Sequence, residues 1–329
     1  MDMTYPRKLT RGDVVRVVAP SRSRAMVTEH DHTGLIEARF AELGLTLTYG
    51  RHVDERDAFD SSAVASRVAD LHDAFADPSV AAIITVIGGY NSNELLPYLD
   101  WELIRANPKI LCGYSDISAL QNAILARTGL VTYSGPHWST FGMRDHFEQT
   151  LRWFTEVMFG SAPLTLAPAD AWSDDLWFLD QDKRELIPNE GWWRLRPGAA
   201  EGPVVGGNLA TLSLLQGTPY MPSLDGVILL LEDDFESHPA IFARNLTSLL
   251  QLPDAAGVRG LVIGRFQSET RMTRPLLEQI VATQPALEGV PVLANLDVGH
   301  TYPLATVPIG GLAELAVGGG EASLTLRRH

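Results

Sequence analysis

The sequence is poor in cysteine, in positive charge and in long apolar runs. Its one cysteine, Cys112, excludes an intrachain disulfide and any cysteine-cluster zinc site. Its 26 Lys and Arg stand against 40 Asp and Glu, a formal net charge of −14. Nucleic acids and anionic membrane surfaces are bound through basic patches, so neither is expected as a partner. No apolar stretch is long enough to cross a bilayer, so no membrane span is expected. The opening residues MDMTYPRKLTRGDVV contain no apolar core of a secretory signal, and the expected location is the cytoplasm. What remains is an ordinary globular composition, 45% hydrophobic and 20% charged over 329 residues, enough chain for two domains.

The first half alternates strand and helix patterns. Strands are expected at Val14–Ala19, Leu45–Tyr49, Ala81–Ile87 and Lys109–Gly113. Helices are expected at Glu37–Leu43, at Ala63–Phe75 with Val64, Val68, Leu71 and Phe75 on one face, and at Asp116–Arg127. Uniformly apolar strands in such alternation predict a parallel sheet covered on both faces, assigned to a doubly wound domain over residues 1–165. Residues 166–201 break the rhythm: they are rich in proline and hold four of the seven tryptophans, Trp172, Trp177, Trp192 and Trp193. A long loop in a compact protein is usually functional. A second α/β domain is expected over 202–329. Its strands are expected at Gly226–Leu231, Leu261–Arg265 and Val290–Leu293, its helices at Ala240–Leu250 and Thr273–Ala282, and it ends in a hairpin, Glu314–Arg328.

Four segments carry residues with chemical potential, each just after an expected core strand. Gly113-Tyr114-Ser115-Asp116 turns from strand into helix. A serine there stands at the sheet's C-terminal edge beside helix N-terminal N–H groups, although it also suits a plain N-cap, and Ile117 departs from the G-x-S-x-G elbow. Glu232-Asp233-Asp234 closes an apolar strand, where a carboxylate could orient a histidine, hold an oxygen-loving cation, or merely begin a solvated loop. His300 lies in the glycine- and proline-flanked corner Asn295–Pro303. Gly88-Gly89, followed by Tyr90-Asn91, lets the backbone approach a ligand closely, and it matches neither of the phosphate-binding glycine motifs. His30 and His32 flank Asp31 and read more simply as solvent-exposed than as metal ligands. Serine, carboxylate and histidine together, with a glycine pair for an oxyanion, point to a serine hydrolase. A cleft between two α/β domains also suits a non-catalytic small-molecule binding protein.

At these segments the chain resembles the LD-carboxypeptidase family of serine peptidases, and within it the MccF-like branch of microcin C self-immunity. The resemblance runs through VVAPS (17–21), IGGYNSNELLPYLD (87–100), ILCGYSDIS (110–118), GGNLATL (206–212), GVILLLED (226–233) and NLDVGHTYP (295–303). It implies a Rossmann-like N-terminal domain, a smaller C-terminal α/β domain, and an active site at their interface. By this resemblance Ser115 is the nucleophile, His300 the base and Glu232 its partner. Backbone N–H groups of Gly88, Gly89 and Asp116 form the oxyanion hole. No metal or cofactor is expected, and homodimers are. Substrates are peptidyl or aminoacyl nucleotides in the MccF-like branch and murein tetrapeptide, losing D-alanine, in the other. GGYNSN followed by LLPYLD, and the Trp-rich loop, look more like the first. Trp177 is then the first choice to stack on the base, Trp172 the second, and Asn91 a further substrate contact; bracing of the loop is the alternative role for the rings.

Overall fold

The computed structural model describes residues 2–27 and 32–329. Its strands, in chain order, begin with β1 Val14–Val18, β2 Thr46–Tyr49, β3 Val80–Thr85, β4 Ile110–Gly113 and β5 Thr132–Ser134. The middle of the chain contributes β6 Leu164–Leu166, β7 Ala171–Trp172, β8 Ile187–Pro188, β9 Trp193–Arg196 and β10 Gly198–Asn208. The remainder are β11 Ile228–Glu232, β12 Gly260–Gly264, β13 Val292–Leu296, β14 Val307–Ile309, β15 Leu312–Val317 and β16 Ala322–Arg328.

Two large sheets and the two-stranded β7–β8 ribbon result, and the fold is a mixed α/β, two-domain one. The first runs β14-β5-β4-β3-β1-β2, parallel except for β14. Every residue of β3 and β4 is buried, as expected of strands covered on both faces. The second runs β6-β16-β15-β10-β11-β12-β13-β9, with a parallel centre of β10 to β13 and antiparallel flanks. The chain crosses between sheets more than its sequence suggested. β6, at residues 164–166, pairs with β16 in the second sheet, whereas β14 returns from residues 307–309 to close the first. Short strands such as these carry no periodicity by which to choose a sheet; backbone pairing with the available edge decides.

Local boundaries also move. β3 ends at Thr85, two residues before the expected Ile87. The helix expected from Asp116 is a 3-10 turn over Ser115–Ile117 followed by an α-helix over Ser118–Thr128. The segment after Asn91 is a 3-10 helix, Ser92–Tyr98, with Pro97 inside it. Proline removes an N–H that an α-helix would need. Helix Ser118–Thr128 is buried nearly all round, because it lies between the two sheets. Its Asn122 Nδ2 donates to Gly206 O at 2.8 Å and its Oδ1 accepts from Gly206 N at 3.2 Å; Ser118 Oγ accepts from Asn208 N at 2.9 Å. These bonds fasten the helix that follows Ser115 to the sheet that carries Glu232. No helix among the described residues is long and apolar enough to cross a membrane.

Candidate active site

Ser115 is delivered by β4 through a sharp corner. Tyr114 is extended, and Ser115 has φ +62°, a left-handed conformation uncommon for a residue with a side chain. Such strain is held in place only by surrounding structure and clusters at functional sites. Glu232 is the last residue of β11 and is buried. His300 follows β13 in the loop that begins at Asp297. The three meet across the seam between the sheets. His300 Nδ1 lies 2.7 Å from Glu232 Oε2, and His300 Nε2 lies 3.0 Å from Ser115 Oγ. Gly299 makes the close approach feasible: its φ is +99°, and a Cβ there would sit 2.6 Å from Glu232 Oε2.

Beside the serine, Gly88 presents a bare α-carbon. A Cβ on it would stand 2.9 Å from Ser115 Cβ and 3.5 Å from the Asp116 nitrogen. The Gly88-Gly89 turn and the Asp116 amide therefore flank one space next to Oγ, where backbone donors could meet an oxyanion. Asp116 itself is tied back to the turn: its Oδ2 accepts from Ser92 N at 2.9 Å and its carbonyl from Ser92 Oγ at 2.7 Å.

Electrostatics favour a histidine that gains a proton readily. Burial by itself lowers the pKa of His300; the Glu232 charge and hydrogen bond, with the charges of Asp234 and Asp233, outweigh it and raise the pKa above the ordinary value. Asp233 is pushed up to about 7, chiefly by burial, against the Ser237 hydrogen bond and with help from the Glu232 and Asp234 charges. It also accepts from Asn208 Nδ2 at 3.3 Å. Sequence reasoning missed a second layer behind the imidazole. Tyr114 meets His300 edge-on at 5.2 Å between ring centroids and stacks on His137 at 4.3 Å. Burial, then the charge of His300, depress the pKa of His137 to about 3, so this ring is a neutral wall. Tyr114 lies inside the serine corner that the sequence announced, but nothing local in the sequence pairs it with His137.

The other candidates are spread around this centre. Trp177 is buried, with its ring 5.8 Å from His32 and 6.0 Å from Phe178, and it lines a cavity of about 330 Å³ whose wall includes Ile87 and Ser139. His32 is thus half-buried, not solvent-exposed as expected, because Trp177 packs on it; His30 and Asp31 lie outside the described residues. Trp172 sits in the β7–β8 ribbon with the Arg265 guanidinium 5.3 Å from its ring centroid. Asn91 does not reach the triad. Its amide accepts from Ser21 Oγ at 3.3 Å and donates to Ser61 Oγ at 3.1 Å, so both ends are engaged in bracing the glycine turn. Among the described residues no three His, Cys, Asp or Glu side chains come together as metal ligands.

A buried carboxylate, an imidazole and a serine hydroxyl in this order are the components of serine-type hydrolysis. Comparison with known proteins agrees with that class. The LD-carboxypeptidase N-terminal domain model matches residues 15–135 and the C-terminal domain model residues 201–315, and the chain belongs to this family of serine-carboxypeptidase-type enzymes. It is 46% identical to the YocD protein of Bacillus subtilis, named as a carboxypeptidase, over 99% of this chain and 100% of that one. It is 33% identical to the microcin C7 self-immunity protein MccF of Escherichia coli over 81% of this chain and 80% of that one. It is 31% identical to the murein tetrapeptide carboxypeptidase of Pseudomonas aeruginosa over 92% of each. Among solved structures, an MccF-like protein from Bacillus anthracis superposes with a TM-score of 0.97 at 46% identity, covering 99% of this chain and 100% of that one. MccF in complex with aspartyl sulfamoyl adenosine superposes with a TM-score of 0.87 at 27% identity, covering 98% of each.

Proposed function

We propose that the chain hydrolyses an amide bond through Ser115, His300 and Glu232, acting on peptidyl or aminoacyl nucleotides of the processed microcin C type. The observation that carries the chemistry is His300 bridging Glu232 and Ser115 at 2.7 and 3.0 Å. In this mechanism His300 Nε2 takes the Ser115 proton and Oγ attacks the acyl carbon. The oxyanion is met by N–H groups from Gly88-Gly89 and Asp116. His300 then hands the proton to the leaving nitrogen, and water repeats the cycle on the acyl-enzyme. Glu232 keeps the proton-bearing Nδ1 pointed at itself and stabilises the imidazolium.

The nucleotide half of the proposal is supported by the aromatic cavity beside the glycine turn, where Trp177 supplies a ring face suited to a base. The second reading, release of D-alanine from murein tetrapeptide, is favoured by the comparable identity to the murein peptidase, 31% against 33% for MccF. Purified protein offered an aminoacyl-adenylate analogue and murein tetrapeptide, with products read by mass spectrometry, separates the two. Turnover of the tetrapeptide alone moves the chain to the cell-wall branch; turnover of neither removes the hydrolytic reading. We further infer a cytoplasmic homodimer. The support for a dimer is the exposed apolar side chains Leu176 and Leu179, close together in the chain. Light scattering and cell fractionation test these two points.

A further inference from the structure

Among the described residues, no carboxylate pairs with Arg22. Arg22 follows β1, and its backbone N–H donates to Gly88 O at 3.3 Å. Its side chain runs past the glycine turn, with Cγ 3.0 Å from where a Cβ on Gly89 would stand, and the guanidinium carbon lies 5.5 Å from the centroid of the Tyr90 ring. Nε is buried without a hydrogen-bond partner. Other buried or half-buried arginines are matched by carboxylates, Arg24 by Asp54, Arg67 by Glu94 and Arg265 by Asp297. A guanidinium N–H buried without a partner is costly, unless a ligand completes it.

Its position says which ligand group that is. Arg22 lines the cavity of about 330 Å³ that also touches Ile87, Ser139 and Trp177. One residue of its wall, Ile87, directly precedes Gly88 in the chain, and Gly88 lies against Ser115. We propose that Arg22 is the receptor for the anionic group on the leaving half of the substrate, an inference that rests on the acyl-transfer function above. A C-terminal residue released by a carboxypeptidase carries its carboxylate one carbon beyond the scissile nitrogen. An aminoacyl phosphoramidate carries its anionic phosphorus group on that nitrogen. Both put negative charge next to the bond to be cut, on the same side of it. The guanidinium fork binds carboxylate and phosphate oxygens alike, through paired N–H donors. Arg22 thus makes the charge of the leaving group a condition of efficient binding, and Tyr90 holds the guanidinium over the turn by a cation–π contact.

Two substrate pairs and one ligand pair test this. A peptide with a free terminal carboxylate is compared with the same peptide amidated, and an aminoacyl phosphoramidate of adenosine with its neutral methyl ester. Wild type should prefer the charged member of whichever pair it cleaves by about ten- to a hundredfold in kcat/KM, mostly through KM. Arg22→Gln should erase the preference while leaving the neutral member within a few-fold, and Arg22→Lys should restore part of it. Adenosine monophosphate against adenosine, titrated by calorimetry into Ser115→Ala protein with and without Arg22→Gln, reads the same charge without turnover. The pair cleaved tells carboxylate from phosphate as the natural anion. Equal losses on charged and neutral members, or no charge preference in wild type, would overturn the role of Arg22. Absence of turnover on all four substrates, with an Arg22-dependent preference for the monophosphate intact, would instead remove the hydrolytic reading.

Discussion

Ser115 and His300 are 185 residues apart in the chain and 3.0 Å apart at Oγ and Nε2. They belong to loops after different sheets, so the contact exists only when the two sheets are held in register. The bonds of Ser118 and Asn122 with β10 supply that register within about two helical turns of the serine. The proposed activity would therefore depend on inter-sheet packing.

Ser115→Ala should abolish turnover and leave the fold intact. Alanine occupies the same backbone as serine at φ +62°, so no new strain enters. The expected loss is several orders of magnitude, about the size seen when a triad nucleophile is removed. Kinetics together with a thermal melt check both halves; activity within about tenfold of wild type would exclude the serine mechanism.

The pH profile should report His300. As general base it must be neutral, so kcat/KM rises as pH increases through its pKa. Burial lowers that pKa and the Glu232 charge and hydrogen bond, with Asp234 and Asp233, more than compensate, so the acid limb should lie above 6.5. Glu232→Gln removes the main raising charge. The limb should move to lower pH while the plateau falls, and an unmoved limb would assign it to another group.

Asp233 should weaken the fold as pH rises. Its carboxyl is raised from 3.8 to about 7 in the folded chain, by burial before all else. The native state thus binds the extra proton between those values, so this contribution is full below 3.8 and is lost as pH climbs through about 7. Asp233→Asn should flatten that part of the stability profile and raise the melting temperature at pH 8 relative to wild type. Denaturant unfolding across the pH range measures it, and parallel curves for the two proteins would refute it.

Gly88→Ala should damage catalysis more than stability. The added methyl would meet Ser115 Cβ at 2.9 Å and displace the nucleophile or the turn. A fall of about a hundredfold or more in kcat is expected, since small displacements at such sites are costly. Full activity with an unchanged melting temperature would place the oxyanion donors elsewhere.

Trp177→Ala should separate the two substrate classes. Loss of a stacked base is worth roughly five- to a hundredfold in processing of an aminoacyl-adenylate analogue, with slow cleavage of a simple peptide nearly unchanged. Equal losses on both would mean that the ring only braces its loop against His32 and Phe178. Trp172→Ala, whose ring meets Arg265, should have the smaller effect.

The sequence by itself determined β1 to β4 of the first sheet, β11 to β13 of the second and its closing hairpin, each to within a few residues at its ends, but not β5, β10 or β14. Apolar runs closed by Gly113, Glu232, the Gly88 turn and the Asn295–Pro303 corner announce the sites, because an open α/β sheet exposes whatever follows its strands. Tertiary structure decided the rest. It alone brings Glu232 and His300 to Ser115, sends β14 back to the first sheet, buries Trp177, and gives Asn91 to Ser21 and Ser61. Tyr114, His137 and Arg22 gain their surroundings only there. The division has a physical cause: strand and helix formation follow from a periodicity within a few consecutive residues, whereas a hydrogen bond, a stacked ring or an unpaired charge depends on which distant segment comes to lie beside it.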